Sequence, residues 1–160
     1  MDGDLYQLME QALLEAEKGS RRGEIPIGAV LADPEGEIVA RAHNQPISLN
    51  DPTAHAEILV LRAAGEYFRN YRLNNTTLIV TIEPCLMCMG AAINARISRL
   101  VFGAFDPKSG AAGSLYNPAK DNRLNHQIEV ISGIMEAECR SLLKKFFHGR
   151  RKPNKYNLPL

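Results

Sequence analysis

Two short motifs constrain this chain more than any other feature. They are His55-Ala56-Glu57 and Pro84-Cys85-Leu86-Met87-Cys88, the second beginning 27 positions after the glutamate. Cysteines at positions i and i+3 lie on one face of a helix, so both sulfurs can reach a single ion. A helix N-terminus also favours the thiolate, which is the form that binds metal. Zn²⁺ accepts Cys sulfur and His nitrogen in a tetrahedron, and three protein ligands leave its fourth position for water.

Each motif alone has an ordinary structural explanation. An isolated Cys-x-x-Cys is a redox pair, half of a structural zinc site or plain packing. A structural zinc site needs a fourth ligand, and the other Cys and His residues of the chain are His43, His126, Cys139 and His148. Cys139 follows the apolar spacing of the last predicted helix, which favours core packing, and the three histidines show no ligand spacing.

Glu57 favours a catalytic site over a structural one. A carboxylate two residues from a ligand can take a proton from a metal-bound water. Residues i and i+2 in the middle of a helix point apart, so this convergence requires His55 to lie in the first turn or before it. A lone glutamate on a helix would otherwise belong to a solvated face.

The apolar pattern predicts alternating helices and strands. The expected helices cover 5–16, 51–65, 85–95 and 134–147, with the first ending at Gly19 and the second starting at Asp51-Pro52. The expected strands cover 25–32, 37–44, 77–82, 99–104 and 127–131, with a turn at Asp33-Pro34-Glu35-Gly36 joining the first two. This order predicts an α/β fold, a three-layer α/β/α sandwich around one mixed sheet of about five strands.

Length and composition indicate one domain without a membrane segment. The chain has 160 residues, 45% of them hydrophobic, and we expect a domain over 1–152 followed by a tail over 153–160. No apolar run reaches the ~18 residues that span a bilayer, and the start, Met1-Asp2-Gly3-Asp4, is acidic where a signal peptide is basic. Three cysteines do not form a disulfide framework. We therefore expect a cytoplasmic protein.

Charge is distributed unevenly although the net value is only +1. From Cys139 onward the chain has seven Lys or Arg and no Asp or Glu, which leaves 12 basic and 18 acidic residues before it. Such asymmetry suggests a polyanionic partner at the C-terminal end, the alternative being a solvated tail that aids solubility.

The two motifs together match the H-x-E and P-C-x-x-C signature of zinc nucleobase deaminases. From about Leu5 to Arg151 the chain resembles the bacterial tRNA adenosine deaminases, which convert wobble adenosine to inosine. The matching stretches are 26–30, Asn44, 51–58, 83–91, 102–104, 106–115 and Phe146-Phe147. The zinc signature alone would admit many deaminases, and the Gly-Ala-Ala-Gly-Ser loop at 110–114 narrows the resemblance to the tRNA adenosine deaminases. Phe105 departs from it, standing where some members have Arg, and the residues after Lys152 match no pattern of the family.

The resemblance implies a cytidine-deaminase-like fold, a homodimer, and one Zn²⁺ per chain held by His55, Cys85 and Cys88. It also implies hydrolytic attack at C6 of adenine, with Glu57 carrying a proton to N1 and then to the departing ammonia.

The resemblance further implies how a tRNA anticodon arm is held, with an arginine tRNA of ACG anticodon as the expected partner. Asn44 would hydrogen-bond the base, Ile25 and Pro84 would wall the pocket, and Asp106 would meet the nucleotide sugar. Phe147 would pack on a neighbouring anticodon base. The expected substrate-binding set is completed by Ala56, Lys108, Arg150 and Arg151, with Lys152 and Lys155 adding charge.

Two other functions compete with this one. A small-molecule deaminase for guanine or cytosine would share the motifs, but a free base needs no polyanion-binding surface. A zinc-stapled RNA-binding module would keep the basic end, but would have no use for Glu57 or for an open zinc position.

Overall fold

The computed structural model describes residues 2–150, which form a five-stranded mixed sheet with helices on both faces. The strands are β1 Gly28–Ala32, β2 Ile38–His43, β3 Thr77–Ile82, β4 Arg99–Ala104 and β5 Glu129–Ile131. Their order across the sheet is β2-β1-β3-β4-β5. β1 is antiparallel to β2 and β3, whereas β3, β4 and β5 are parallel. The predicted fold class is confirmed.

Five helices surround the sheet: α1 Asp2–Arg21, α2 Pro46–Leu49, α3 Ala56–Phe68, α4 Leu86–Asn94 and α5 Glu136–Arg150. A short 3₁₀ turn covers Pro118–Lys120. α1 and α5 pack on one face of the sheet, and α3 and α4 pack on the other. Among residues 2–150, no helix combines the length and the apolar character that crossing a membrane requires.

The three central strands, β1, β3 and β4, are buried on both faces because their alternating side chains enter two separate cores. In β3, Leu78 and Val80 belong to the core under α3 and α4, while Ile79 belongs to the core under α1 and α5. Cys139 is 1% exposed and lies in that second core, so its predicted packing role is confirmed.

Gly28 allows α1 to lie directly on the sheet. A Cβ at this position would lie 1.9 Å from the Ala12 carbonyl oxygen and 2.5 Å from the Ala16 nitrogen. Both are backbone atoms of α1, so only glycine fits without moving the helix.

Most element boundaries agree with the sequence pattern, and one helix start is wrong. α3 begins at Ala56, because Asp51 does not cap a helix but accepts hydrogen bonds from the backbone and hydroxyl of Thr53. The short α2 was not predicted. α1 continues past Gly19 to Arg21, and β1 starts at Gly28, three residues later than expected.

Strand register brings distant parts of the chain to one edge of the sheet. Gly28 pairs with His43, so the start of β1 and the end of β2 lie together. Ile82 pairs with Ala104, which places the carboxyl ends of β3 and β4 side by side. Because β1 is antiparallel to β3, all four ends meet at the same edge. The segments that follow these ends contain the residues that the sequence singled out.

Candidate functional site

A group of three metal-ligating side chains lies at this edge. His55 precedes α3 as its N-cap with an extended backbone, and Cys85 is the N-cap of α4, with Cys88 in its first turn. The Nδ1 atom of His55 lies 3.5 Å from Sγ of Cys85 and 3.4 Å from Sγ of Cys88. The three ligand atoms all lie within 4.8 Å of one another.

These distances fit one tetrahedral zinc ion. Zn–N of about 2.05 Å and Zn–S of about 2.3 Å at a tetrahedral angle place nitrogen and sulfur about 3.6 Å apart. The observed separations of 3.4 and 3.5 Å are close to that value. Two thiolates and a neutral imidazole would also balance the charge of Zn²⁺. The donor set and its spacing therefore suit zinc, and within residues 2–150 no other group of this kind occurs.

The pKa values of the two cysteine thiols indicate that the site stabilises a thiolate, the form that binds a cation. Hydrogen bonds from Cys88 and from His55, opposed by burial, lower the pKa of the Cys85 thiol to about 4. The same contact with Cys85, together with burial, raises the pKa of Cys88. The hydrogen bond to Cys85 raises the pKa of His55. The Cys85 thiolate is thus already stabilised by its neighbours, whereas the Cys88 thiol would lose its proton only when a cation binds.

Glu57 lies beside the ligands, buried at 3% exposure. It is within hydrogen-bonding reach of the Cys88 thiol. Its Oε1 atom has no hydrogen-bond partner among the described residues. Burial raises the pKa of this carboxyl above its usual range. Because His55 lies before the helix rather than inside it, the side chains of His55 and Glu57 can lie on the same side, as a catalytic role for Glu57 requires.

Asn44 joins the end of β2 to the start of α3. Its Oδ1 accepts the Ala56 backbone N–H at 2.8 Å, and its own N–H donates to the Ile27 carbonyl. Because Ala56 is wholly buried, its backbone N–H needs a partner inside the protein, and Asn44 supplies it. The Asn44 side-chain amide group, as a donor, is what remains for a ligand.

The other predicted pocket residues lie in the segments around this edge. Ile25 is 38% exposed in the segment before β1, and Pro84 is buried between β3 and Cys85. Asp106 is half-buried and accepts the backbone N–H groups of Lys108 and Ser109 through Oδ1. Its turn presents Lys108 at the surface.

The C-terminal residues are brought partly to the same region. Phe147 is 44% exposed and contacts Phe146 edge to face. Arg150 stacks on the Phe146 ring at 4.5 Å and donates a hydrogen bond to the Gly23 carbonyl, two residues before Ile25. Arg151, Lys152 and Lys155 lie outside the described residues.

Two buried glutamates that accept hydrogen bonds from neighbouring loops were not predicted as site residues. Glu24 is 1% exposed and accepts the backbone N–H groups of Ile47 and Ser48. Glu83 is 3% exposed and accepts four hydrogen bonds from the loop at 106–114. Burial opposes ionisation of both, but these hydrogen bonds outweigh it and lower each pKa. The available signal was an acidic residue placed directly against an apolar strand, as Glu83 follows β3.

Comparison with known proteins agrees with this geometry. The family model of the cytidine and deoxycytidylate deaminase zinc-binding region matches residues 3–104. A tRNA-specific adenosine deaminase of Bacillus subtilis (strain 168) is 48% identical over 152 residues, covering 95% of this chain and 92% of the relative.

Solved structures give the same result. A tRNA A34 deaminase, studied for A-to-I editing at the wobble position of transfer RNA, superposes with a TM-score of 0.82 and 45% identity. That match covers 85% of this chain and 98% of the solved one. A guanine deaminase from Bacillus subtilis is more distant, with a TM-score of 0.60 and 28% identity over 94% of this chain and 96% of that one.

Proposed function

Because this chain belongs to the zinc-binding cytidine and deoxycytidylate deaminase family, and within it to the tRNA-specific adenosine deaminases, we propose that it converts the wobble adenosine of a tRNA anticodon to inosine. It is a hydrolase that replaces the C6 amino group by oxygen and releases ammonia. The observation that carries the chemistry is the three-ligand group beside a buried glutamate with a partnerless oxygen.

His55, Cys85 and Cys88 hold the zinc ion, one per chain. When bound, zinc would lower the pKa of a water at this site toward neutrality and so would supply a nucleophile at neutral pH. Three protein ligands are what a catalytic zinc site requires, since a fourth would close it.

Glu57 moves the proton. Its Oε1 atom would accept one proton of the attacking water and deliver it to N1 of the adenine as the C6–O bond forms. It would then carry the remaining proton, that of the new C6 hydroxyl, to the amino group, so that the C6–N bond breaks, ammonia leaves and a C6 carbonyl remains. Burial raises the pKa of this carboxyl above its usual range, which favours its taking up a proton. The lack of another partner for Oε1 keeps it available.

The base is held by groups around the same sheet edge. Asn44 uses its oxygen on the Ala56 N–H, so its amide NH₂ is the group that donates to a ring nitrogen of the adenine. Ile25 and Pro84 wall the pocket, while Asp106 and Lys108 meet the sugar and backbone of the nucleotide. Ala56 closes the floor as a small, wholly buried residue.

The basic C-terminal end binds the anticodon arm. Phe147 offers an exposed ring for a neighbouring base, and stacking on aromatic rings is how single-stranded RNA bases are recognised. Arg150 and Arg151 meet phosphates, which add affinity without reading sequence.

The catalytic domain spans 1–152, with the remaining eight residues as a tail. The partner is the arginine tRNA with an ACG anticodon, and the enzyme acts as a homodimer in the cytoplasm.

A substrate panel tests this function. The zinc-loaded protein is offered an anticodon stem-loop with wobble adenosine, the same stem-loop with wobble guanosine, free guanine and free cytosine, and released ammonia is measured. We expect turnover of the adenosine stem-loop alone. Preferential turnover of free guanine or cytosine would replace the proposal by a small-molecule deaminase.

A further inference from the structure

Glu83 is buried between the end of β3 and residues 84–88, which include Cys85 and Cys88 and are called the zinc-ligand segment below. Oε1 accepts the Asp106 N–H at 2.9 Å and the Ser114 hydroxyl, while Oε2 accepts the N–H groups of Ala112 at 2.9 Å and Ser114 at 3.0 Å. One carboxylate therefore accepts four hydrogen bonds, all from a single loop.

These bonds grip both ends of the loop at 106–114. Asp106 is the first residue of the loop and Ser114 is the last, so the Glu83 carboxylate holds both ends of the loop in place. The middle of the loop lies along the zinc-ligand segment, where the Ala111 N–H donates to the Pro84 carbonyl at 2.8 Å and Gly110 pairs with Cys85.

Gly110 shows how closely the loop fits around this carboxylate. A Cβ at Gly110 would lie 2.3 Å from the carboxyl carbon and from Oε1 of Glu83, and 2.5 Å from the Asp106 carbonyl oxygen. Any side chain there would displace either the carboxylate or the loop backbone. The glycine at position 110 is thus explained by the buried acid next to it.

We propose that Glu83 is a positioning residue that holds the loop at 106–114 against the zinc-ligand segment and thereby sets Asp106 and Lys108 for contact with the nucleotide. This inference rests on the proposed function, because it concerns how that substrate is held. Both oxygens of Glu83 are engaged by the loop, so we assign it a role through the loop and not through contact with substrate or metal. Its anionic carboxylate is matched to four donors, a task that an amide of equal size cannot perform, since one end of an amide is itself a donor.

The test compares Glu83→Gln with wild type by amide hydrogen exchange, zinc content and steady-state kinetics on the stem-loop. We expect the Asp106, Ala112 and Ser114 amides to exchange at least about tenfold faster, while the β3 and β4 amides keep their protection. Zinc should remain at one per chain. The value of kcat/KM should fall about 10- to 100-fold, the usual loss for a supporting hydrogen-bond partner, with most of the change in KM.

Three further variants make the test specific. Ser114→Ala removes one of the four hydrogen bonds and should give a smaller effect in the same direction. Gly110→Ala keeps the carboxylate but displaces it, and should reproduce Glu83→Gln. Glu24→Gln is the matched control, because it removes another buried carboxylate that holds a different loop, so exchange at 106–114 should be unchanged.

The outcomes separate the inference from the proposed function. Unchanged loop exchange in Glu83→Gln and Gly110→Ala would overturn it, as would faster exchange throughout the sheet, or a loosened loop with wild-type KM. If Glu83→Gln does not fold, the same criteria apply to Ser114→Ala and Gly110→Ala. A wild-type protein that does not deaminate the stem-loop would refute the proposed function, whereas loop exchange in the variants would still decide whether Glu83 anchors the loop.

Discussion

Replacing Glu57 with glutamine should abolish most turnover while making the zinc-free protein more stable. Glutamine keeps the shape of the side chain, but its amide cannot accept the proton of the attacking water. Loss of a positioned acid or base costs about 10²- to 10⁴-fold in rate, which corresponds to about 3 to 5 kcal/mol of barrier at 1.36 kcal/mol per tenfold. Zinc binding should persist, because Glu57 is not one of the three ligands.

The stability gain follows from the burial of this carboxyl. Glu57 is 3% exposed and its Oε1 has no partner among the described residues. Glutamine leaves a buried polar atom at the same place, so the two proteins differ by the cost of ionising the buried carboxyl, and each 1 kcal/mol of that cost changes Tm by about 2 to 4 °C in a domain of this size. Because the pKa is raised on folding, the cost of ionisation grows as pH rises above the unfolded value of about 4.3. The Tm difference between Glu57→Gln and wild type should therefore grow as pH rises above about 4.3, level off once pH passes the folded pKa, and be larger at pH 8 than at pH 4.

Calorimetry of the zinc-free proteins across this pH range measures stability, and single-turnover deamination of the stem-loop measures chemistry. Near-normal single-turnover rates in Glu57→Gln would refute its assignment as the proton carrier. A variant less stable than wild type at pH 8 would refute the predicted cost of ionising this carboxyl.

Three other perturbations have defined outcomes. His55→Ala should lose zinc as well as activity, in contrast to Glu57→Gln, as metal analysis would show; retained stoichiometric zinc would contradict its role as a ligand. Glu24→Gln should cost about 1 to 3 kcal/mol at pH 7, because two charge-assisted hydrogen bonds are lost. Since the pKa of Glu24 is lowered on folding, its contribution is present above about pH 4.3 and is lost as pH falls through the folded pKa, so the difference between variant and wild type should shrink on acidification. Replacing Arg151, Lys152 and Lys155 with Ala, while keeping the Arg150 contacts to Gly23 and Phe146, should weaken tRNA binding and reduce the slope of log K against log salt by about 0.7 to 0.9 per lost phosphate contact; an unchanged slope would exclude these residues from phosphate binding.

The sheet could be predicted from the sequence because its central strands are apolar runs bounded by clear breaks. β3 and β4 begin and end where the pattern places them, at Thr77–Ile82 and Arg99–Ala104. The start of α3 was wrong because Asp51-Pro52 carries a capping signal that a local turn also satisfies. Sequence alone does not tell whether an Asp side chain caps a helix or its own turn.

The metal ligands could be predicted because their chemistry is specified by residue type and spacing. The positions of Arg150 and Glu83 could not, since both depend on contacts between segments far apart in the chain. Arg150 reaches back to the Gly23 carbonyl, 127 positions away, and Glu83 reaches forward to Ser114, 31 positions away. Charge at the C-terminal end indicated a polyanion, but not that one of its arginines also ties α5 to the segment holding Ile25.

Three of the four buried glutamates of the described residues, Glu24, Glu57 and Glu83, differ in the number of donors around them. Glu24 and Glu83 are surrounded by backbone donors, which lower their pKa values and keep them ionised as fixed anchors for loops. Glu57 receives no such set of donors, and burial raises its pKa instead. A carboxylate surrounded by donors is held in its ionised form, whereas burial with fewer donors favours the protonated form. The unpartnered Oε1 of Glu57 therefore supports the proposed proton transfer by this residue, and the hydrogen bonds that Glu24 and Glu83 accept hold the neighbouring loops.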